Sequence, residues 1–265
     1  RQPKYQSRSL LSFTLMDHPA RYIESSRFPG LEYGVETKKE MKFSPIHPEE
    51  FVRLVQPMLA RQDLTGLYGL LKSRWTPDQI VDLISGSCTC QDARKVALLS
   101  LGLVGKQCCV EVVARQLHDQ DPVVREMAEH AMWSIWFRSA SVCAANKELA
   151  RGAEVIGRRE FALAVEHLDR AIQMDPKFAE AYNQRAIVHY LNEDFEASMS
   201  DCRRAIELMP MHFGAWAGLG HCAAHLGRID ESLQAYRRAM EIHPHLSCIR
   251  EAVEELTHHT GQGLN

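Results

Sequence analysis

No stretch of this 265-residue sequence approaches 18 consecutive apolar residues, so nothing in it reads as a transmembrane helix. Its first residues also lack the order of charged, apolar and small residues that marks a secretory signal. Net charge is nearly absent: 31 Lys and Arg stand against 34 Asp and Glu, which leaves −3. No overall basic field therefore draws the chain to nucleic acid or to a membrane surface, and neither is an expected partner. Glycine-rich phosphate loops, nucleophile elbows and metalloprotease helix motifs are missing as well. The expectation is a non-enzymatic protein with no catalytic residues, no cofactor and no metal. Cysteine is present, but eight in a chain this long do not make a disulfide scaffold. Several fall on apolar faces of expected helices, which suits reduced thiols and a cytoplasmic location.

What the chain does have is a repeat. Between residues 145 and 246 alanine returns at Ala171, Ala205 and Ala239, proline at Pro176, Pro210 and Pro244, and a small residue at Gly152, Ala186 and Gly220, always 34 apart. In the middle copy Ala181, Tyr182, Arg185, Ala186 and His189 share one helical face, and Asn192-Glu193-Asp194 makes a polar turn. Phe195, Ser198, Cys202, Ala205 and Ile206 then line a second helix that Pro210 ends. Two helices approach closely only where neither is bulky. Gly152, Ala186 and Gly220 are therefore expected at the crossings, opposite Ala164, Ser198 and Ser232.

These residues resemble the tetratricopeptide repeat family, whose unit is a 34-residue helix-turn-helix. The resemblance covers about two fifths of the chain and implies an all-α fold, a right-handed α-solenoid whose first helices line a concave groove. Matched copy by copy, that groove presents Leu149, Asn183 and Ala217; Ala153, Ile187 and His221; and Ile156, Tyr190 and Ala224, with Leu191 and His225 beside them. The implied function is an adaptor or scaffold that binds a partner's peptide or helix. Family members that grip a C-terminal carboxylate use lysines and asparagines on this face. Here only Asn183 matches in type, which argues against such a clamp. Glu148 replaces an aromatic residue of the pattern, and Arg151 and Arg185 replace leucine. An enzyme subunit related to HEAT-containing lyases and a homo-oligomeric scaffold are the alternative readings.

Around the repeats the sequence divides further. Residues 1–44 read as an irregular basic leader with an apolar run from Ser9 to Met16, a short helix, a strand or a clip on the solenoid. Residues 45–140 read as helices with HEAT-like repeats, in which Arg94, Ala97, Leu101 and Val104 match Arg125, Ala128, Met132 and Ile135 at a spacing of 31. Asp121 is expected to cap, Pro122 to open a helix, and Arg125 to pair with an acidic neighbour. Trp133, Trp136 and Phe137 are expected to bury against the first 34-residue unit, making one continuous array through residues 141–246. Residues 247–259 read as a capping helix and 260–265 as a fraying tail. His221 and His225, four apart on a helix, have the spacing for two metal ligands but no third at a convincing position, so peptide contact is the expected role. Cys88, Cys90, Cys108 and Cys109 read as boundary residues, and Arg170, Arg204 and Arg238 as a solvated basic row.

Overall fold

The computed structural model describes residues 45–85 and 90–260, with side chains as far as His258. The basic leader with its Ser9–Met16 run, the Cys88 position and the 261–265 tail lie outside the described residues. Among the described residues all regular structure is helical, with thirteen α-helices and two short 3-10 turns. They fall into two compact units that meet in sequence at residues 139 and 140.

In the first unit, α1 (Pro48–Ala60), α2 (Leu64–Arg74), α3 (Pro77–Ser85), α4 (Gln91–Val104), α5 (Val110–Arg115) and α6 (Pro122–Trp136) form the helices. Their starts follow from local chemistry. Asp63 accepts from the Gly66 N–H at 2.9 Å. Thr76 and Gln79 form a reciprocal capping box, with Thr76 N donating to Gln79 Oε1 and Gln79 N to Thr76 Oγ1. Asp121 caps α6 through the Val123 N–H, and Pro122 fills the first helical position. Helix α4 is central and packs against α1, α2, α3 and α6 through Ala93, Val96, Ala97, Leu98 and Leu101. Among the described residues the expected ion pair at Arg125 is not made. Its guanidinium instead donates to the carbonyls of Asp119 and Gln120, while Arg94 takes the Asp119 carboxylate at 2.5 Å. The reason is reach, because the α5–α6 turn brings Asp119 under α4. Trp133 and Trp136 are buried edge to face, 5.0 Å apart.

The second unit pairs α7 (Cys143–Gly157) with α8 (Phe161–Met174), α9 (Ala179–Leu191) with α10 (Phe195–Leu208), and α11 (Phe213–His225) with α12 (Ile229–Ile242). Each pair stacks on the next, and α13 (Ser247–Thr260) packs on α12. The small residues stand at the crossings. A Cβ on Gly152 would come 2.9 Å from Leu168, and one on Gly220 would come 2.4 Å from the Tyr236 ring. Ser198 and Ser232 donate to the carbonyls of Ala186 and Gly220 at 2.7 and 2.8 Å, so each serine ties the two helices of its pair. The turn inside every pair needs one left-handed residue, and Arg159, Glu193 and Gly227 supply it at φ of 61°, 60° and 72°. Between pairs, Tyr182 donates to the Pro176 carbonyl, Trp216 to that of Pro210 and Arg250 to that of Pro244, one bond repeated at a 34-residue interval. Ile249, Val253 and Leu256 of α13 are buried and its glutamates Glu251, Glu254 and Glu255 exposed.

Candidate inner face of the helix pairs

The eleven sequence-matched groove residues lie on α7, α9 and α11, and the structure divides them by exposure. Leu149, Ala153, Ile156, Asn183, Ile187, Ala217 and His221 are buried. Tyr190, Leu191 and Ala224 are half-buried and His225 is exposed. These four sit at the C-terminal ends of α9 and α11, where the helices run into their turns. The accessible part of the face is thus confined to one end of two repeats.

Around Glu180, polar groups deeper in the face pair with one another. Glu180, fully buried, accepts from Asn183 Nδ2 at 3.2 Å, from Gln184 Nε2 at 2.6 Å and from His212 Nε2 at 2.7 Å. His212 accepts the Ala215 N–H at Nδ1, which leaves its Nε2 to donate to the carboxylate. The Asn183 amide is therefore spent on Glu180. No residue-type pattern announced this pairing, although Glu180 and His212 are 32 residues apart, close to one repeat.

The arginines that replace leucine are likewise neutralised within the chain. Arg185 grips Asp201 with two bonds of 2.7 Å and reaches Asp169 at 2.6 Å. The Asp201 bonds, against a smaller opposing effect of burial, raise the guanidinium pKa further. Asp169 and Asp201 flank Arg185 at sixteen residues on either side, a signal visible in the sequence once the helix pair is assumed. Glu148 receives Arg151, His167 and Arg170. Burial alone would raise its carboxyl, but these three partners outweigh it and bring the pKa down to about 2. Arg204 and Arg238, one and two repeats on, lie over the rings of Tyr182 and Trp216 at 5.9 Å. The basic row thus covers the very position where Glu148 replaces an aromatic residue.

The ends of α9 and α11 carry a ring cluster. Tyr190 Oη lies 2.8 Å from His225 Nε2, and His225 stacks on Phe195 with centroids 4.5 Å apart and planes within 10°. Tyr190 meets Phe195 edge on at 5.5 Å. Phe195 belongs to this surface although the first-helix matching left it out, because it opens α10 directly after the turn. One helical turn deeper, His221 Nδ1 is 2.7 Å from Tyr236 Oη, while its Nε2 is buried with no partner. Burial, with His225 adding repulsion, lowers the His221 pKa to about 4, and burial lowers that of His225 in spite of the Glu193 carboxylate. Both imidazoles are neutral at pH 7. Among the described residues no group of three or more His, Cys, Asp or Glu is arranged to hold a metal ion, and no helix is long and apolar enough to cross a membrane.

Comparison with known proteins agrees with this geometry. Tetratricopeptide repeat family models match residues 149–210 and 213–246. These residues are tetratricopeptide repeats. The repeat region is 38% identical over 92 residues to anaphase-promoting complex subunit 3 of Schizosaccharomyces pombe, covering 35% of this chain and 14% of that one. It is 32% identical over 93 residues to a TPR repeat-containing protein of Rhizobium etli, covering 35% and 46%. The chain thus spans less than half the length of these relatives. Among solved structures, the first TPR of Spaghetti (RPAP3) bound to HSP90 peptide SRMEEVD is similar with a TM-score of 0.44 and 18% identity, over 44% of this chain and 94% of that one.

Proposed function

We propose that the tetratricopeptide repeats make this protein a non-enzymatic adaptor that binds a peptide or helix of a partner protein. The observation that carries the reading is the ring surface of Tyr190, Phe195 and His225 with Leu191 and Ala224. It is an aromatic and apolar patch left accessible at the ends of α9 and α11, between helices whose deeper carboxylates Glu180 and Asp201 are held by partners of the chain itself. Half-buried aromatic residues on a rigid helical frame bind with little loss of conformational entropy. Residues 90–138 are read as HEAT-like. In support, Ala97, Ala128, Leu101 and Met132, matched at a spacing of 31, are all buried where α4 meets α6.

The test is capture of co-purifying partners by the intact chain against a Tyr190→Ala, Leu191→Ala variant. Capture is expected to fall at least tenfold while the helical circular dichroism stays unchanged. Undiminished capture overturns the adaptor reading.

A further inference from the structure

We infer that the surface of Tyr190, Leu191, Ala224 and His225 takes an internal, uncharged apolar segment of a partner protein and rejects a peptide that ends in acidic side chains and a free carboxylate. This rests on the adaptor reading and names the chemistry of its ligand.

The argument is one of charge. None of the eleven inner-face positions is a lysine or an arginine. Of the arginines that flank them, Arg151 is held by Glu148, Arg158 by Glu154, Arg185 by Asp169 and Asp201, and Arg228 lies near Glu196 at 3.9 Å, while the exposed Arg159 sits in the turn after α7, away from the ends of α9 and α11 in sequence. To meet a ligand carboxylate, Arg185 would have to abandon three short bonds, and Arg151 would strip Glu148 of one of its partners. The charge that bears on His225 from its own surroundings is the carboxylate of Glu193, which opposes an incoming anion. His221 and His225 are neutral and supply no compensating charge. A carboxylate desolvated against this wall would be left without a counter-charge, a cost that apolar contact of this extent does not offset.

An uncharged segment meets the opposite situation. Its aliphatic or aromatic side chains cover Tyr190, Leu191 and Ala224 and lie against the exposed edge of the His225–Phe195 stack. The segment must be internal because a chain terminus brings a charge with it.

The experiment is a titration of the ¹⁵N-labelled full-length chain, followed at the backbone amides of Tyr190, Leu191, Ala224 and His225. One probe is a pool of N-acetylated, C-amidated octapeptides in which Leu, Phe and Ile alternate with Ser and Gln. The other is SRMEEVD with a free C-terminus. The blocked pool is expected to shift these amides, with a response unchanged between low and high salt. SRMEEVD is expected to bind at least tenfold more weakly. Equal or tighter binding of SRMEEVD at these amides overturns the inference and leaves the adaptor reading in place. Failure of both probes to shift them also overturns it. Undiminished capture by the Tyr190→Ala, Leu191→Ala variant is the separate result that sinks the adaptor reading.

Discussion

Glu193 and Arg159 hold a backbone conformation that their side chains disfavour. The third repeat solves the same turn with Gly227, so the three copies form an internal comparison. A non-glycine residue in the left-handed region costs about 1–2 kcal/mol, of which part is cancelled by the greater freedom of unfolded glycine. Glu193→Gly is therefore expected to stabilise the protein by about 0.5–1 kcal/mol, read as a rise in the urea midpoint. His221 sets a second residue-scale expectation. Its folded pKa of about 4 lies below the ordinary 6.5, so the unfolded chain binds the proton first. The stability it preserves is complete above pH 6.5 and is lost as pH falls toward 4, up to about 3 kcal/mol in all. His221→Asn, which retains a partner for Tyr236, is expected to flatten the fall in urea midpoint between pH 7.5 and 4.5. An unchanged pH slope would show that this imidazole is not the group responsible. Neither effect is readable from residue type alone. The turn position follows from the 34-residue interval, but the isolation of His221 Nε2 depends on which rings close around it.

At the scale of helices, the crossings are where the sequence was most informative. Gly152, Ala186 and Gly220 had to be small, and each meets the partner helix of its own pair. Gly220→Ala is expected to cost about 1–3 kcal/mol, because its Cβ would stand 2.4 Å from a fully buried Tyr236. Gly157→Ala, with nothing within 4 Å, is expected to be neutral or stabilising, and thermal unfolding of the two variants makes the comparison. The Asp121 cap and the Pro122 start were legible for the same reason, since they are local. The long-range ion pairs were not. Arg185 reads only as a replacement for leucine, yet its partners Asp169 and Asp201 come from the packed neighbours α8 and α10, whereas Arg151 pairs with Glu148 on its own helix. Arg125 misled in the same way, because the turn placed Asp119 under Arg94 instead. The inner face was legible as a set of positions. Its division into buried and accessible members was not, because Glu180 and His212 close it from within.

For the repeat unit as a whole, stability is a sum over neighbours, so damage at one end is expected to stay there. Val253→Asp in α13 removes a fully buried side chain from the cap. Hydrogen exchange is expected to quicken in α11 and α12 while α7 and α8 keep their protection, and uniform loss across all six helices would contradict this nearest-neighbour picture. Arg250 gives that end a further meaning. It makes with Pro244 the bond that Tyr182 and Trp216 make with Pro176 and Pro210, so α13 stands in the register of a first helix. Yet Glu254, 34 residues beyond Gly220 and exposed, stands where the first helices carry Gly152, Ala186 and Gly220, so a helix copied from residues 229–242 finds its seat behind α13 only after that side chain is cut back to glycine or alanine, one storey added once the stairwell is cleared.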